Sequence, residues 1–289
     1  MFVKSRNFSA GELARFLELQ RLSFAILEET GAGLKEGVTE RDVARALVRR
    51  YRAAGATAFF HLPVALFGAR TALPGDWPVG KFYPKDQPLK AGDAVILDAS
   101  PLFSGYLVDT SYSFCFGENP SHRRMMADLS RYRTSVCEAV NEGRHFSAIA
   151  ADVEADMRGR GYDPAHRKHP GAVLGHRALK TAVLPFTWRI RGFDGVSLGW
   201  FILNSRMAAS GITRRDPLWN GAAASDHPPH DGLWLVEPHA GADGVGAKWE
   251  EILVIENGAA RWLDDEPPHM RQWRDIEAGR SYAPRAAAA

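Results

Sequence analysis

Cysteine is scarce in this sequence of 289 residues, which contains only Cys115 and Cys137. Two cysteines cannot build the disulfide framework of a small secreted domain, and no CxxC pair indicates a zinc or redox motif. Cys115 falls in an apolar, strand-like run and Cys137 in a helical pattern. We therefore expect buried, reduced thiols and a reducing compartment, which favours a cytoplasmic protein.

Long hydrophobic runs and an excess of one charge are also missing. No segment of about eighteen apolar residues occurs, so no membrane span is expected. The first residues, MFVKSRNFSAGEL, contain no apolar core typical of a signal peptide. Lysine and arginine total 36 against 34 acidic residues, a net charge of +2. Basic pairs such as Arg49–Arg50 and Arg123–Arg124 are interpreted as solvated helix faces. These features argue against membrane and nucleic-acid partners.

Hydrophobic residues make up 45% of the chain, which is ordinary for a globular protein with a large buried core. Apolar periodicity predicts helices over residues 9–30, 39–55, 121–142 and 147–160. Ser9 and Glu12 fit a capping box at the start of the first helix. Ser147 is the predicted cap of the last one.

Strand patterns occupy the middle and the end of the chain. Residues 94–117 predict a hairpin, in which AVILDAS and YLVDTSYSFCF flank the turn PLFSG. Two late strand segments cover 232–241 and 248–265, the second with an Asn-Gly turn. The intervening residues 181–232 are predicted to be mostly irregular.

The chain shows no repeat, low-complexity block or linker. We therefore predict one α+β domain over residues 1–265, with helices packed on a mostly antiparallel sheet. A partly ordered C-terminal tail is expected over 266–289.

Asp98 and Asp109 lie in otherwise apolar or aromatic segments, on opposite arms of the predicted hairpin. Buried ionised carboxylates need a neutralising partner. The hairpin lets both side chains face the same side of the sheet, where they repel unless a proton or a metal lies between them. The hairpin alone leaves an alternative open, in which each carboxylate bonds a backbone donor, a lysine or an arginine without metal.

Three later polar residues are predicted on sheet elements: His176 in LGHRAL, Glu237 in WLVEPH and Glu250 in KWEEILV. Singly, each has an ordinary explanation as a hydrogen-bonded histidine or a solvated glutamate. With the two aspartates they make four carboxylates and one imidazole, which suits divalent Mn, Fe, Co or Zn. Bridging carboxylates would hold two such ions about 3.5–4 Å apart.

In this order the five residues resemble the ligands of the pita-bread metallopeptidase family, which includes methionine aminopeptidase, aminopeptidase P, prolidase and creatinase. The segment GDAVILDASPLFSGYLVDTSYSF is similar to the family's GD-x-V-x-x-D…G-Y-x-x-D-x-T-R-T-F pattern. The matching segments are VLGHR for GHG, LVEPH for IEPG and GAKWE for G-x-R-x-E. The resemblance runs from about residue 9 to residue 265.

The resemblance implies a pita-bread fold, a curved and mostly antiparallel sheet covered by helices. It also implies a hydrolase with two divalent ions and a hydroxide between them. Asp98 would ligate one ion and His176 the other, with Asp109 and Glu250 bridging. Glu237 would be a ligand and a catalytic residue that passes a proton to the leaving amine. The expected substrate is a small peptide, cleaved after its N-terminal residue or at an Xaa-Pro bond, and a homodimer is an open possibility.

The sequence departs from the family where its peptidases often carry two further histidines. No His-Glu pair follows GHRALKTAVL, and Gly75 stands after A-L-P in place of histidine. His239, directly after a ligand strand, is the preferred catalytic replacement. His61, His227 and His230 remain alternatives.

The last metal ligand has a neighbour of the same type. WEEILVIENG is one residue shorter than the usual family strand, and a one-residue slip would turn Glu251 toward the site. We expect Glu250 to be the ligand, with a local bulge absorbing the difference.

Other functions fit the same fold. A C–N hydrolase or a lyase on a small metabolite is the main alternative, and a metal-free binding module is less favoured because all five ligand positions are filled. Aromatic residues that could wall a pocket, or else belong to the core, are Phe186, Trp188, Trp200 and Trp234.

Overall fold

The structure, a computed structural model, describes residues 2–183, 188–190, 193–213 and 216–285. Over these residues the α-helices are α1 Ala10–Ala32, α2 Glu40–Ala53, α3 Pro120–Leu129, α4 Arg131–Asn141, α5 Phe146–Gly159, α6 Gly195–Ala209 and α7 Pro268–Glu277. Short 3-10 helices cover Gly68–Ala72, Val79–Lys81, Ala165–Lys168 and Ala223–Ser225. Among the described helices, none combines the length and apolar character that a bilayer crossing requires.

The strands of the same residues are β1 Val3–Lys4, β2 Ala58–Phe59, β3 Val64–Phe67, β4 Ala94–Ala99, β5 Pro101–Phe103, β6 Tyr106–Leu107, β7 Thr110–Cys115, β8 Asp163–Pro164, β9 Gly175–Arg177, β10 Lys180–Thr181, β11 Arg189–Ile190, β12 Phe193–Asp194, β13 Leu218–Trp219, β14 Gly232–Val236, β15 His239–Ala242, β16 Val245–Lys248, β17 Glu251–Glu256 and β18 Ala259–Trp262. The described strand pairings are all antiparallel. The predicted α+β class with an antiparallel sheet is confirmed.

The first helix begins at the predicted capping box. The Ser9 hydroxyl accepts the Glu12 amide at 3.2 Å, and the Glu12 carboxylate accepts the Ser9 amide at 2.8 Å. These reciprocal bonds satisfy two amides that have no partner within the helix. Helix α2 begins in a related way, because the Thr39 hydroxyl accepts the amide of Asp42. Both helices pack on the sheet, α1 against β7 and α2 against β3.

Among the described residues, two large apolar cores and one small cluster around Leu66, Trp77 and Ile96 pack against the central strands. The first contains Phe16 of α1, Leu47 of α2 and Val95 of β4. The second lies under α3, α4, α5 and α7, and contains Trp234 and Trp249. Burying each large side chain contributes about 1.5–3 kcal/mol before entropy is counted. The cores therefore fix the strand ends between them, and those ends carry the polar residues described below.

The hairpin of β4 and β7 places the two aspartates on one face. Asp98 lies opposite Ser111 in the antiparallel ladder. Asp109 comes two residues before Ser111, so the side chains of Asp109 and Ser111 point to the same face. Asp109 is therefore a diagonal neighbour of Asp98 on that face. The two arms of the predicted hairpin are present. The prediction that PLFSG is a turn is wrong for Pro101–Phe103, which forms β5 and pairs with β6.

The other half of the site comes from a five-stranded sheet in the order β13-β9-β14-β17-β18. His176 on β9 lies opposite Leu235 on β14, and Glu237 directly follows β14. Glu250 lies just before β17 and forms an isolated antiparallel bridge with Ser111 of the first hairpin. This bridge joins the two sheets and brings all four strand ends to one place.

The predicted helix over 121–142 is interrupted at Ser130. Its amide bonds the Ala127 carbonyl at 3.3 Å, one residue short of an α-helical bond, so α3 ends and α4 begins there. The predicted cap Ser147 is wrong as well. Helix α5 starts one residue earlier, and the Ser147 hydroxyl donates to Asp226 at 3.0 Å.

The prediction that residues 181–232 are mostly irregular is wrong because of α6. The Asp194 carboxylate caps this helix by accepting the Ser197 amide at 2.8 Å. Its apolar residues lie all round the helix, with Phe201 buried and Leu203 exposed, so no amphipathic period marks it in the sequence. The tail beyond residue 265 contains α7, whose Trp273 belongs to the second core.

Candidate metal centre

The five predicted ligands meet at one cavity of about 880 Å³. Its described lining includes Asp98, Asp109, His176, Glu237 and Glu250, together with side chains from α2 and α6. Asp109 and Glu250 are almost fully buried, at 2% and 1% exposure. Segments that are far apart in sequence thus bring four carboxylates to one largely buried surface.

His176 faces three of these carboxylates. Its Nε2 lies 3.6 Å from Asp109 Oδ2, and 3.9 Å from both Glu237 Oε1 and Glu250 Oε1. All three distances exceed the range of a hydrogen bond. We call His176, Asp109 and Glu250 the His176 triad, because their donor atoms converge without bonding one another.

A second convergence involves His61, which lies between β2 and β3. Its Nε2 is 3.4 Å from Asp98 Oδ1 and 3.5 Å from Asp109 Oδ1. We call these residues the His61 triad. Asp109 belongs to both triads, with one carboxylate oxygen directed to each.

Lys248 lies within the carboxylate cluster and is 3% exposed. Its Nζ is 2.7 Å from Asp98 Oδ2, 2.8 Å from Glu237 Oε2 and 3.0 Å from Glu250 Oε2. This ammonium neutralises part of the negative charge, and burial alone would be unfavourable for all four groups.

Three buried carboxylate oxygens have no hydrogen-bond partner among the described residues: Asp98 Oδ1, Asp109 Oδ1 and Glu250 Oε1. Buried acceptors of this kind are costly unless a cation or donor reaches them. Each faces a histidine Nε2 at a distance that leaves room for an ion between the donors. Oxygen-rich sites with imidazole suit divalent transition metals, so the residues fit a metal site.

The charges perturb the ionisation of the ligands in opposite directions. Burial and the negative charge of Asp109 raise the pKa of Glu250 well above its ordinary value, against the effect of Lys248. For Glu237, the positive charges of Lys248 and His169 outweigh burial and lower the pKa. The aspartate charges likewise outweigh burial at His61 and raise its pKa to about 9. Such shifts are typical of functional clusters.

The two neighbouring glutamates have different surroundings. Glu250 faces the cavity, and its Oε2 accepts the Ser111 hydroxyl at 2.9 Å. Glu251 points to the opposite side, where it accepts from Arg133 Nε at 2.7 Å and from His269 Nε2 at 2.8 Å. The geometry therefore places Glu250, and not Glu251, with the other predicted ligands.

His239, the predicted catalytic histidine, lies one layer behind the cavity lining. Its Nε2 is 2.7 Å from the Thr71 carbonyl, and its Nδ1 is 3.0 Å from His169 Nε2. His169 in turn places Nδ1 2.7 Å from Glu237 Oε2 and lines the cavity. The side chain that reaches Glu237 is therefore His169, which sequence reasoning did not select.

Of the alternative histidines, His61 lies in the cavity, whereas the other two and the three tryptophans considered as pocket walls lie elsewhere. His227 and His230 stack on each other at 4.1 Å, outside the described cavity lining. Trp234 is in the second core, and neither Trp188 nor Trp200 is among the described lining residues. Phe186 lies outside the residues that the structure describes.

Of the three residues that join the predicted ligands, His61 is one of the alternatives that the sequence offered for the missing family histidines, whereas Lys248 and His169 were not predicted. Lys248 precedes Glu250 by two positions in a strand-like segment, so both side chains face the same side, and this spacing was available as a signal. His61 and His169 reach the site from connecting segments. No local pattern points a loop histidine toward ligands more than sixty residues away, as His169 and Glu237 are.

Comparison with known proteins identifies relatives for nearly the whole chain. The sequence model of Metallopeptidase family M24 matches residues 14–257. An uncharacterized peptidase of Staphylococcus aureus is 26% identical over 170 residues, which are 57% of this chain and 46% of that protein. The chain thus spans about half the length of this curated relative.

Solved structures show the same fold at low identity. The X-Pro aminopeptidase of Thermotoga maritima is 17% identical with a TM-score of 0.63, over 91% of this chain and 63% of that one. The prolidase of Pyrococcus horikoshii is 16% identical with a TM-score of 0.64, over 90% and 63%. An aminopeptidase P of Escherichia coli is 14% identical with a TM-score of 0.56, over 94% and 59%. The predicted pita-bread fold is confirmed, and the match over most of its length shows that the chain belongs to metallopeptidase family M24.

Proposed function

We propose that the chain is a metal-dependent hydrolase of small peptides, which removes an N-terminal residue or cleaves an Xaa-Pro bond. The observation that carries the proposal is the convergence of four carboxylates and His176 on one cavity, in a chain of a metallopeptidase family. Structures of similar fold are named X-Pro aminopeptidase, prolidase and Xaa-Pro dipeptidase, which supports this substrate class.

The proposed cofactor is a pair of divalent ions held by Asp98, Asp109, His176, Glu237 and Glu250. The predominance of carboxylate oxygens favours manganese over zinc. Bound ions would supply Lewis-acid activation of a water molecule and of the scissile carbonyl. The protein's own contribution is to fix the donors, exclude bulk water and move protons.

Proton movement is assigned to Glu237 and His169. The Thr71 carbonyl can only accept, so His239 donates to it from Nε2 and accepts at Nδ1 from His169. The remaining nitrogen of His169 then shares a proton with Glu237 Oε2 across 2.7 Å. This contact between His169 and Glu237, beside Lys248, gives a route by which a proton can pass to the leaving amine.

His239 acts in this proposal as a positioning residue. Burial and the positive charge of His169 lower the pKa of His239 well below its ordinary value, so the ring stays neutral. A neutral ring locked on the Thr71 carbonyl offers one acceptor in a fixed direction. That acceptor fixes the orientation of the His169 ring, so that its Nδ1 faces Glu237 Oε2.

The cavity suits a substrate with an apolar side chain. Phe60, Phe193 and Phe201 line it near the histidines, while Arg45 and Arg49 of α2 line its outer part. Apolar walls bind a side chain, and the two guanidinium groups favour a carboxylate at the far end of a short peptide.

We also propose a reducing, cytoplasmic location. Cys115 and Cys137 are both free thiols in the folded chain, which supports it. Partition of the native protein after cell fractionation tests this location.

Metal analysis of the purified protein beside an Asp109→Asn variant tests the function first. Two ions per chain, lost in the variant, together with cleavage in a panel of dipeptides and Xaa-Pro peptides, are expected. Retained ions without any peptide cleavage would favour the alternative of a C–N hydrolase or lyase. A wild-type chain that binds no Mn, Co, Fe or Zn would refute the metal-dependent hydrolase.

A further inference from the structure

We propose that His61 is a ligand of one of the two ions, so that each ion is held by one imidazole and Asp109 spans both. This inference rests on the proposed metal-dependent function and assigns a ligand beyond the five predicted from the sequence. It makes the centre symmetrical: the His61 triad on one side, the His176 triad on the other, and Asp109 common to both.

The spacing of the His61 triad matches that of donors around an ion. Tetrahedral donors about 2.1 Å from an ion lie roughly 3.4 Å from one another. His61 Nε2 is 3.4 Å from Asp98 Oδ1 and 3.5 Å from Asp109 Oδ1. A direct bond between imidazolium and carboxylate would instead bring the atoms to about 2.7–2.9 Å. The three atoms are arranged as neighbours around a common point.

The tautomer of His61 leaves the facing nitrogen available. His61 Nδ1 is 3.0 Å from the carbonyl of Leu62, which can only accept, so Nδ1 carries a proton. A metal ion that displaces the proton from Nε2 therefore meets a lone pair on the nitrogen that faces the aspartates. A backbone carbonyl on the outer nitrogen is the usual support of a metal-binding imidazole.

His176 has the same arrangement. Its Nδ1 is 3.2 Å from the carbonyl of Arg177, and its Nε2 faces Asp109 Oδ2 at 3.6 Å. Both histidines therefore orient the ring through the carbonyl of the next residue and direct Nε2 at one oxygen of Asp109. Since His176 is the ligand expected from the family resemblance, the matching geometry of His61 supports the same role.

The competing donor for this position is already engaged. Glu250 Oε2 accepts from Ser111 at 2.9 Å and contacts Lys248 at 3.0 Å, while its Oε1 faces His176 at 3.9 Å. Asp98 Oδ2 is likewise held by Lys248 at 2.7 Å. Within the described part of the chain, the buried oxygens without a hydrogen-bond partner on this side are Asp98 Oδ1 and Asp109 Oδ1, and both face His61. His61 therefore supplies a third donor beside Asp98 and Asp109, at a position that Glu250 does not fill.

The test measures the number of bound ions and the magnetic exchange coupling between them. Wild type, His61→Phe and His176→Ala are dialysed against Mn²⁺, and bound manganese is measured by elemental analysis and by electron paramagnetic resonance. Phenylalanine keeps the ring that packs on Phe60 and Phe193 and removes only the donor. We expect two exchange-coupled ions in wild type and one uncoupled ion in each variant. The double variant should bind none.

His145→Ala is the matched control for adventitious binding, because His145 is a half-exposed histidine paired with Asp226 outside the cavity. It should keep both ions. Two coupled ions in His61→Phe, with a native circular dichroism spectrum, would overturn the inference and leave the proposed function standing. A wild-type chain without ions would refute both. His61→Ala provides a second donor-free variant if the phenylalanine disturbs folding.

Discussion

Glu250 and Glu251 are adjacent and equally buried, yet the structure predicts opposite consequences for the same substitution. Glu251→Gln removes the charge that pairs with Arg133 and His269 in the interior. Glu250→Gln removes one of four clustered carboxylates and relieves repulsion with Asp109. The first change should therefore lower the stability of the metal-free protein, and the second should abolish stabilisation by metal.

The magnitudes follow from the contacts. Glu251 makes two bonds to the Arg133 guanidinium, at 2.7 and 3.3 Å, and one to His269 at 2.8 Å. Breaking a buried ion pair from one side costs about 3–5 kcal/mol. At roughly 2–4 °C per kcal/mol for a large domain, Glu251→Gln should lower the Tm by about 6–20 °C. Glu250→Gln should leave the Tm of the metal-free protein close to that of wild type, because the substitution removes a negative charge that lies beside Asp109 and Glu237.

The assay is thermal unfolding with chelator and then with saturating Mn²⁺, for wild type and both variants. Glu251→Gln should unfold early but keep the full increase in Tm on adding Mn²⁺. Glu250→Gln should start near wild type and show little increase. The reverse pattern would mean that Glu251 is the ligand, and the reasoning from side-chain direction would fail.

Three further changes test separate parts of the structure. Lys248→Met leaves clustered carboxylates without their buried cation and should destabilise the metal-free protein by about 3–5 kcal/mol, measured by urea unfolding in chelator. His169→Ala should lower kcat on an Xaa-Pro substrate by about 10²–10⁴-fold while two ions stay bound. His239→Gln should lower kcat less and also keep both ions. Loss of bound ions in either variant would contradict these roles. Hydrogen bonds from Arg21 outweigh burial and lower the pKa of Asp264. The carboxylate therefore contributes about 1 kcal/mol to the free energy of unfolding above its unfolded pKa of about 3.9, and this contribution is lost as the pH falls through the folded pKa. In urea unfolding, Asp264→Asn should be less stable than wild type at pH 7 and equally stable in acid.

The sequence predicts the parts of the site that depend on strand periodicity. Asp98 and Asp109 are on one hairpin, and the two-residue period of strands places them on one face. The capping box at Ser9 and Glu12 predicts where α1 begins, because those bonds are local. Such features need only neighbours within a few residues or one ladder.

The features that escaped prediction depend on distant contacts or on missing periodicity. The sequence offers His61 only as an alternative for a missing histidine and does not indicate His169. Both meet the ligands only after the two sheets join through the bridge between Ser111 and Glu250. His239 follows a ligand strand, but its ring bonds the carbonyl of Thr71, far away in sequence, and is drawn behind His169. Helix α6 was missed because its apolar residues lie all round the helix and show no helical period.

Lys248 stands where the family pattern G-x-R-x-E has arginine, and the difference has a physical consequence. A guanidinium is a planar fork that engages one carboxylate through two parallel bonds, whereas an ammonium is compact and directs three donors apart. Lys248 uses this geometry to contact Asp98, Glu237 and Glu250 at 2.7–3.0 Å. It holds the carboxylates together before any ion binds, which four buried negative charges could not do alone. By engaging one oxygen of each, it leaves the inner oxygens facing His61 and His176, so the same lysine that preforms the site also determines which donors remain for the ions.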